Sequence, residues 1–457
     1  MNPVPKKTKQ AGNTERKIVT VSNVSDDGSM LEMLYEPKEK RTGFAVWKDG
    51  QCTIEPSIRL PQYRLVPYSA QNNLIKNDVV LLPSEPEDYG SETQLVADIQ
   101  AFIHRYVDVT PLFEKIASYY VLLSWVYDRF NELPYLRLRG DPGSGKTRFL
   151  LTVGSLCYKP IFASGASTVS PLFRILDAFR GTLIIDEGDF RLSDERAEIV
   201  KILNNGNAKG FPVLRSEASK SGEFNPRAYT VFGPKIVATR GFFEDKALES
   251  RCLTEAMGQT GLRDDVPINL PPEHKEEALR LRNKLLLFRF HKLHRAGVRE
   301  DLVDRTIEPR LNQIFVPLLS IIDDPRAIDD LRELARKYNR EMIADRGMET
   351  EAQILEIIRD MLHSPFETRL SMTDITSWMM DRHSMDYERK ITSKWIGNII
   401  RKKLNLRLQK SDGLLSIPLS EKPKLERLFE RYGVRAEKAA EEPANSSPPY
   451  LPSRDYP

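Results

Sequence analysis

The chain of 457 residues contains little cysteine and carries almost no net charge. Its three cysteines, Cys52, Cys157 and Cys252, lie far apart without Cys-x-x-Cys or Cys/His spacing. This spacing argues against a disulfide framework or a structural zinc site and favours the reducing cytoplasm. Lysine and arginine number 68 against 65 aspartates and glutamates. The whole chain is therefore not a polycation, and any nucleic-acid contact must come from local clusters of charge.

Long apolar runs are also absent. The most apolar stretch, Ile116 to Tyr127, is shorter than the ~20 residues of a membrane-spanning helix and is flanked by charges. It predicts a buried helix. The N-terminus is charged, contains proline and has no signal-peptide core, so no membrane partner is expected.

Composition and apolar periodicity divide the chain into seven sections and predict an α/β protein with a parallel sheet flanked by helices. The predicted sections are a disordered basic tail (1–16), a small β-rich module (17–69), a helical linker or collar (70–133), a βαβ core (134–258), a helical lid and connector (259–349), a winged-helix-like domain (350–435) and a disordered tail (436–457).

A phosphate-binding loop opens the predicted core. The octapeptide GDPGSGKT matches G-x-x-x-x-G-K-[ST], with a strand candidate, YLRLR, before it and a helix candidate, KTRFLLTVGSL, after it. Glycines let backbone N–H groups surround phosphate oxygens, the lysine reaches the β and γ phosphates, and the threonine hydroxyl binds Mg²⁺. A chance glycine-rich turn is the alternative. The predicted ATP-binding residues are Gly140, Asp141, Pro142, Gly143, Ser144, Gly145, Lys146 and Thr147.

Two carboxylates follow the next strongly apolar strand, in the stretch GTLIIDEGD. Ligands of such sheets bind at the carboxyl ends of the strands, where Asp186 and Glu187 emerge. Asp186 is predicted to hold Mg²⁺ together with Thr147, and Glu187 to orient and polarise the attacking water. An acidic helix cap after a core strand is the structural alternative.

The phosphate loop, the strand ending in Asp-Glu, the strand GPKIVATR and the segment KALESRCLTEAM together resemble the AAA+ class of P-loop ATPases. Within that class the chain is most similar to helicase-like ATPases of phages, plasmids and mobile elements, including superfamily 3. The resemblance covers about residues 133–257. It implies ATP and Mg²⁺ as cofactors and a homo-oligomeric ring, most simply a hexamer.

The resemblance also implies roles for individual residues. Thr239 falls at the family's polar sensor of the γ-phosphate, although Arg240 stands where superfamily 3 usually has a sensor asparagine, so either could sense the phosphate. Arg251 falls at the arginine finger that completes the neighbouring subunit's site; a surface ion pair is its alternative. Arg280 and Arg282 are candidates for a second sensor.

Basic residues occur in the segment between the Asp-Glu strand and the sensor strand, where similar helicases insert a hairpin that grips single-stranded DNA. Lys209, Arg215 and Lys220 are the predicted contacts, and their pairing with backbone phosphates would be tolerant of sequence and sensitive to salt. A solvated loop or a subunit contact is the alternative.

A second basic cluster lies near the C-terminus. Three helical patterns, followed by LRLQ and LLSIPL as the two strands of a hairpin, suggest a winged helix, whose third helix carries Lys394, Arg401 and Lys402 opposite an apolar face. These residues predict contact with duplex DNA, although winged helices also dock proteins. The sequence thus predicts an ATP-hydrolysing, helicase-like DNA motor for replication or mobility of a genetic element; the alternative is an ATP-switched regulator that recruits partners without moving DNA.

Overall fold

The computed structural model describes residues 16–164, 169–186, 194–216, 225–243, 245–258, 262–347, 350–364, 369–383, 391–411 and 413–434. These described residues form two compact units, which divide between residues 335 and 336.

The first unit begins with two small sheets in the section where the sequence predicts a β module. One is antiparallel in the order β2-β3-β4-β5, and the other has the order β1-β7-β6 with β1 and β7 parallel. Asp49 and Gly50 both adopt positive φ in the tight turn between β4 and β5. The strands are β1 (Arg16–Val19), β2 (Ser22–Val24), β3 (Met30–Glu36), β4 (Arg41–Lys48), β5 (Gln51–Glu55), β6 (Ile58–Arg59) and β7 (Tyr63–Val66).

Helices α1 (Asn73–Lys76), α2 (Glu92–Tyr106) and α3 (Pro111–Val126) follow, and a short 3₁₀ helix spans Tyr127–Arg129. The hydroxyl of Thr110 accepts the amide of Phe113 at the start of α3. Every α3 residue from Ile116 onward is buried, as predicted for the apolar run. No helix in the described ranges is long and apolar enough to cross a membrane.

The centre of the first unit is a five-stranded parallel sheet with the order β14-β8-β13-β10-β9, flanked by helices. The predicted α/β fold is confirmed. The antiparallel pair β11-β12 is inserted between β10 and β13. The elements are β8 (Tyr135–Arg139), α4 (Lys146–Leu156), β9 (Ile161–Ser164), α5 (Val169–Phe179), β10 (Leu183–Asp186), α6 (Asp194–Asn205), β11 (Val213–Arg215), β12 (Arg227–Tyr229), β13 (Lys235–Thr239), α7 (Lys246–Glu249) and β14 (Cys252–Ala256).

Helices continue after the sheet: α8 (Glu273–Lys292), a short 3₁₀ helix (Glu300–Leu302), α9 (Pro309–Leu319) and α10 (Pro325–Gly347). Helix α8 packs against α2, α3 and α4.

A buried ion network joins the β module to the sheet and to α8. The carboxylate of Glu32 on β3 accepts the Nε of Arg289 at 2.8 Å and the hydroxyl of Tyr158 at 2.8 and 2.9 Å, and it lies 2.9 Å from the Nζ of Lys159. Arg289 also forms a two-point contact with Asp128, at 3.0 and 2.8 Å. The side chains of Glu32, Lys159 and Arg289 are each 2–3% exposed. Burial lowers the pKa of Lys159 to about 8, although the charge of Glu32 acts in the opposite direction.

The described part of the second unit contains a three-stranded antiparallel sheet of order β15-β17-β16 and several helices. The predicted apolar face of α13 is buried through Ile396, Ile399 and Ile400. The elements are α11 (Thr350–His363), β15 (Leu370–Ser371), α12 (Met372–His383), α13 (Ser393–Lys402), β16 (Gln409–Ser411), β17 (Leu414–Ile417), a short 3₁₀ helix (Leu419–Glu421) and α14 (Lys422–Tyr432).

Candidate nucleotide-binding site

The phosphate loop joins the carboxyl end of β8 to the first residue of α4. Gly143 and Gly145 have φ of +83° and +92°, a backbone conformation that side chains with a Cβ rarely adopt. The amide of Gly140 donates to the carbonyl of Thr239 at 3.2 Å, so the loop is fastened to the neighbouring strand β13. The amino group of Lys146 donates to the carbonyls of Gly140 at 2.6 Å and Asp141 at 2.7 Å. Lys146 thus stands over the loop, where it can exchange these carbonyls for phosphate oxygens.

A pair of oxygen ligands lies beside the loop. The hydroxyl of Thr147 donates to Oδ2 of Asp186 at 2.7 Å, which joins the first turn of α4 to the end of β10. A hydroxyl and a carboxylate at one point are the hard oxygen donors that Mg²⁺ prefers. The two residues fit the predicted metal position. Among the residues that the structure describes, no group of three or more His, Cys, Asp or Glu side chains could hold a metal ion by itself. Glu187, the predicted catalytic carboxylate, lies outside the described residues.

Strand β13, between β8 and β10, carries the predicted sensor at its end. Thr239 is 2% exposed, and its hydroxyl donates to the carbonyl of Gly241 at 2.9 Å. Arg240 is exposed. A sensing role for Thr239 therefore requires its hydroxyl to exchange a backbone carbonyl for a phosphate oxygen.

Arg251 lies at the end of the sheet where the parallel strands begin, whereas the phosphate loop lies at the end where they finish. It immediately precedes β14, whose first residue, Cys252, pairs with the first residue of β8, Tyr135. At ~3.3 Å per residue along β8, this register puts the backbone of Arg251 about 20 Å from Gly140, the first residue of the loop. Its guanidinium donates to Oδ1 of Asn204 on α6, and its buried Nε has no hydrogen-bond partner among the described residues. Arg251 thus stands away from the phosphates of its own site.

The second-sensor candidates on α8 need a correction. Arg282 is 6% exposed and donates to the carbonyl of Ser155 at 2.9 Å. Ser155 belongs to the last turn of α4, whereas the phosphate loop precedes the first turn, on the order of 13 Å away. Arg282 therefore supports the far end of that helix and does not face the phosphates. Arg280 is exposed.

The segment between β10 and β13 forms the expected hairpin, but its basic residues differ in setting. Arg215 pairs in register with Arg227, contacts Glu198 in an ion pair and lies 4.9 Å from the ring centre of Phe173. Lys209 precedes the hairpin, and its amino group donates to the carbonyl of Asp128 at 2.7 Å. Burial lowers the pKa of Lys209. Lys220 lies outside the described residues.

One buried lysine bonds both to the segment that enters this hairpin and to the segment that leaves it, which we call the two roots of the hairpin. The amino group of Lys235 donates to the carbonyl of Gly206, on the entering side, at 3.1 Å. It also donates to the carbonyls of Val231 and Gly233, on the exiting side, both at 2.9 Å. Lys235 is fully buried, and desolvation lowers its pKa to about 7.

The basic residues of the second unit lie on the solvent side of α13. Lys394, Arg401 and Lys402 are all exposed, as predicted. Two further cations of the cluster face carboxylates from other elements: Lys403 contacts Glu351 at 2.5 Å and Arg407 contacts Glu421 at 4.0 Å. The positive surface is therefore smaller than the sequence count suggests.

A glycine that the sequence analysis missed lies against the phosphate loop. Gly258, just after β14, has φ of +77°, and a Cβ at this position would lie 2.8 Å from the Cβ of Ser144. The end of β14 therefore packs directly on the phosphate loop. The only signal in the sequence is a glycine soon after an apolar run, which is common in turns.

The five-stranded parallel sheet, the phosphate loop at the end of β8 and the Thr147–Asp186 pair define an α/β fold of the P-loop type. No family model matches the chain, and no curated protein matches it. Among solved structures, the chain is similar to an active helicase, SCCmec type IV Cch, with 12% identity over 90% of this chain and 80% of the helicase, and a TM-score of 0.41. It is also similar to the C-terminal region of NrS-1, with 10% identity, 85% and 96% coverage and a TM-score of 0.35. A full-length MCM homolog from Methanopyrus kandleri shows 11% identity, 70% and 76% coverage and a TM-score of 0.34.

Proposed function

We propose that this chain is an ATP-hydrolysing, Mg²⁺-dependent DNA motor of the helicase-like kind. The observation that carries the proposal is the 2.7 Å contact between Thr147 and Asp186 beside a phosphate loop whose lysine stands over it. A bound Mg²⁺ would neutralise phosphate charge in this position. Lys146 would hold the β and γ phosphates, and the loop amides would surround them.

Hydrolysis requires a base and a partner subunit. Glu187, directly after Asp186, is the proposed residue that orients and polarises the attacking water. Thr239, or the adjacent Arg240, is the proposed sensor of the γ-phosphate. Arg251 is proposed as an arginine finger that acts on the next subunit, supported by its distance from its own loop and by its unpartnered Nε among the described residues. This role needs a homo-oligomer, and we propose a hexameric ring.

The proposed substrate of the motor is DNA. The hairpin β11-β12 would present Arg215 and Lys220 to a single strand in the ring, with Lys209 at its base. The exposed Lys394, Arg401 and Lys402 on α13 would contact duplex DNA. Replication or mobility of a genetic element is the proposed setting.

An ATP-switched regulator is the second candidate. The ion pairs of Lys403 and Arg407 favour it, because they reduce the charge that α13 offers to DNA. A switch would hydrolyse ATP slowly and form complexes that depend on nucleotide, whereas a motor would be stimulated by single-stranded DNA.

The deciding experiment is the steady-state ATPase rate with and without single-stranded DNA across a salt series. Stimulation that fades with salt supports the motor, and a rate indifferent to DNA supports the switch. Lys146→Ala should lose nucleotide binding, whereas Glu187→Gln should bind ATP and not hydrolyse it. Lys201→Ala, an exposed change on α6, is the matched control. Normal turnover by Glu187→Gln would refute its assigned role.

A further inference from the structure

The antiparallel hairpin β16-β17 extends beyond the sheet of the second unit. Strand β15 pairs with Ile417 and Ser416 of β17 and then ends, because helix α12 begins at the next residue, Met372. The pairing of β17 with β16 continues further, to Leu414. Gly413 has φ of +81°, a conformation suited to a tight turn. The hairpin therefore ends in a two-stranded projection, which we call the tip and which contains Lys410, Ser411, Leu414 and Leu415.

Both faces of the tip carry an exposed leucine. Leu414 is 47% exposed and Leu415 is 38% exposed. Successive residues of a strand point to opposite faces, so these two side chains lie on opposite sides of the ribbon. Across the ribbon, Leu414 pairs in register with Ser411, and Leu415 pairs with Lys410. A hairpin that packs on one flat partner needs a single apolar face, whereas this tip offers apolar surface on both.

The surface beside the hairpin is cationic. Residues 391–411 contain six charged side chains, and all six are lysines or arginines. Two of them face carboxylates, as described above, and the other four are exposed and make no ion pair within the described residues. Asp412, which follows in the sequence, lies outside those residues. The four exposed cations are Lys394, Arg401 and Lys402 on α13 and Lys410 in the tip. Their charge favours a polyanionic partner.

The hairpin starts against the basic side of α13. The Nε of Arg401 donates to the carbonyl of Gly397, one turn earlier, at 3.1 Å. A Cβ at Gly397 would lie 3.7 Å from Nη2 of Arg401 and 3.9 Å from Cδ1 of Leu408, the residue before β16. The tip begins two to three residues further along the ribbon, or roughly 7–10 Å away. This distance is shorter than the ~12 Å width of the major groove, so a duplex that contacts α13 can also reach the tip.

We infer that the tip inserts between the two strands of DNA at the point where a duplex opens, with one leucine against the bases on each side. The inference rests on the proposed function, and it specifies the substrate as a junction of double- and single-stranded DNA. Apolar side chains can insert beside bases, because every base has a flat face on which they can pack. The cations of α13 hold the backbone phosphates of the duplex.

The two apolar faces favour a junction over a closed groove. Inside an intact duplex, neighbouring bases are already stacked, and an inserted side chain must first separate them. At a junction the last base pair is open on one side, and both separated strands offer bases to the ribbon. The tip thereby acts as a wedge that hinders the two strands from pairing again.

The test compares the affinities of the full-length chain for a fluorescein-labelled forked duplex and for a blunt duplex of the same sequence, measured by anisotropy over a salt series. The parent should prefer the fork. Leu414→Ser with Leu415→Ser should reduce that preference about tenfold and leave the salt dependence unchanged, since it removes base contacts and no charge. Lys394→Gln with Lys402→Gln should weaken binding of both duplexes and reduce the slope of log affinity against log salt by about 1.8, since each phosphate contact on duplex DNA contributes about 0.9.

Two further double variants serve as controls. Met380→Ser with Leu419→Ser removes two exposed apolar side chains of the same unit that lie outside the tip, and it should keep the preference of the parent. Leu414→Met with Leu415→Met keeps the tip apolar and should also retain the preference. A 2-aminopurine base in the last pair of the fork should change its fluorescence when the parent binds and should not respond to the serine variant of the tip.

The outcomes separate this inference from the proposed function. Equal preference for the fork in the parent and the serine variant of the tip, with unchanged thermal midpoints, would overturn the inference and leave the motor intact. So would a parent that binds both duplexes equally well. Loss of self-association by the serine variant, seen by sedimentation, would overturn the inference by assigning the leucines to a contact between copies of the chain. Failure of the parent to bind the fork, the duplex or a single strand would instead overturn the DNA motor.

Discussion

Replacing Glu32 by glutamine should destabilise the first unit by about 3 kcal/mol, because it leaves buried cations without their carboxylate. Glutamine keeps the volume and one acceptor oxygen, but it removes the charge and replaces the other oxygen with an NH2 group that faces the donors of Tyr158, Lys159 and Arg289. Arg289 keeps Asp128 but loses one charged hydrogen bond of 2.8 Å, a loss of about 2 kcal/mol. Lys159 can avoid an unpaired buried charge by losing its proton. Because its pKa of about 8 is one unit above neutral pH, losing the proton costs only about 1 kcal/mol. This cost limits what the unpaired charge of Lys159 adds to the destabilisation.

The assay is calorimetric unfolding of the full-length chain, in which the transition of the larger unit should move down by on the order of 5 °C. Glu55→Gln, an exposed change on β5 of the same module, is the matched control and should leave the transition in place. Adding Lys159→Met to Glu32→Gln should recover part of the loss, because the orphaned cation is replaced by an apolar side chain. A loss below about 1 kcal/mol, or equal losses for Glu32→Gln and Glu55→Gln, would refute the reasoning.

Three more outcomes are expected. Gly258→Ala should weaken ATP binding about tenfold, measured by titration with a fluorescent analogue, because its Cβ would press on the phosphate loop. Lys235 has a folded-state pKa near 7, below its unfolded value, so the unfolded chain binds more protons between pH 7 and about 10 and stability rises with pH. Urea unfolding should therefore show wild type gaining on Lys235→Met by up to about 1.4 kcal/mol per pH unit, with exposed Lys76→Met parallel to wild type; parallel curves for both variants would contradict the buried charge. Mixing Arg251→Ala with Lys146→Ala should restore some ATPase activity if the finger acts between subunits, and no recovery at any ratio would count against it.

The sequence was most informative where a motif coincides with a local pattern. Strand β8 and helix α4 begin and end at the residues predicted from the phosphate loop, since glycines and apolar periodicity are local signals. In the second unit the pattern is weaker. The first strand of the predicted hairpin, LRLQ, is correct only at its end, because β16 begins at Gln409 and Leu406 is buried in the apolar core.

Partners distant in sequence could not be predicted. Glu32 interrupts an apolar run, which signals a buried carboxylate, but Tyr158 and Arg289 lie 126 and 257 residues further along the chain. The positions of Arg282 and Lys209 likewise depend on carbonyl groups that tertiary packing brings close. Apolar periodicity predicts which face of a helix is buried, but it does not predict which backbone carbonyl a polar side chain will contact.

The hydrogen bonds from Lys235 to both roots of the hairpin have a mechanical consequence. Both roots of the hairpin bond to one amino group, so they cannot separate unless at least the buried hydrogen bond between Lys235 and the carbonyl of Gly206 breaks. A force on the hairpin is therefore delivered as a single load to the first residue of β13. That strand is one element of five residues, and its last carbonyl holds the first amide of the phosphate loop. Strand β13 consequently connects a pull on the hairpin, at one end of the strand, to the geometry of the phosphate loop at the other end.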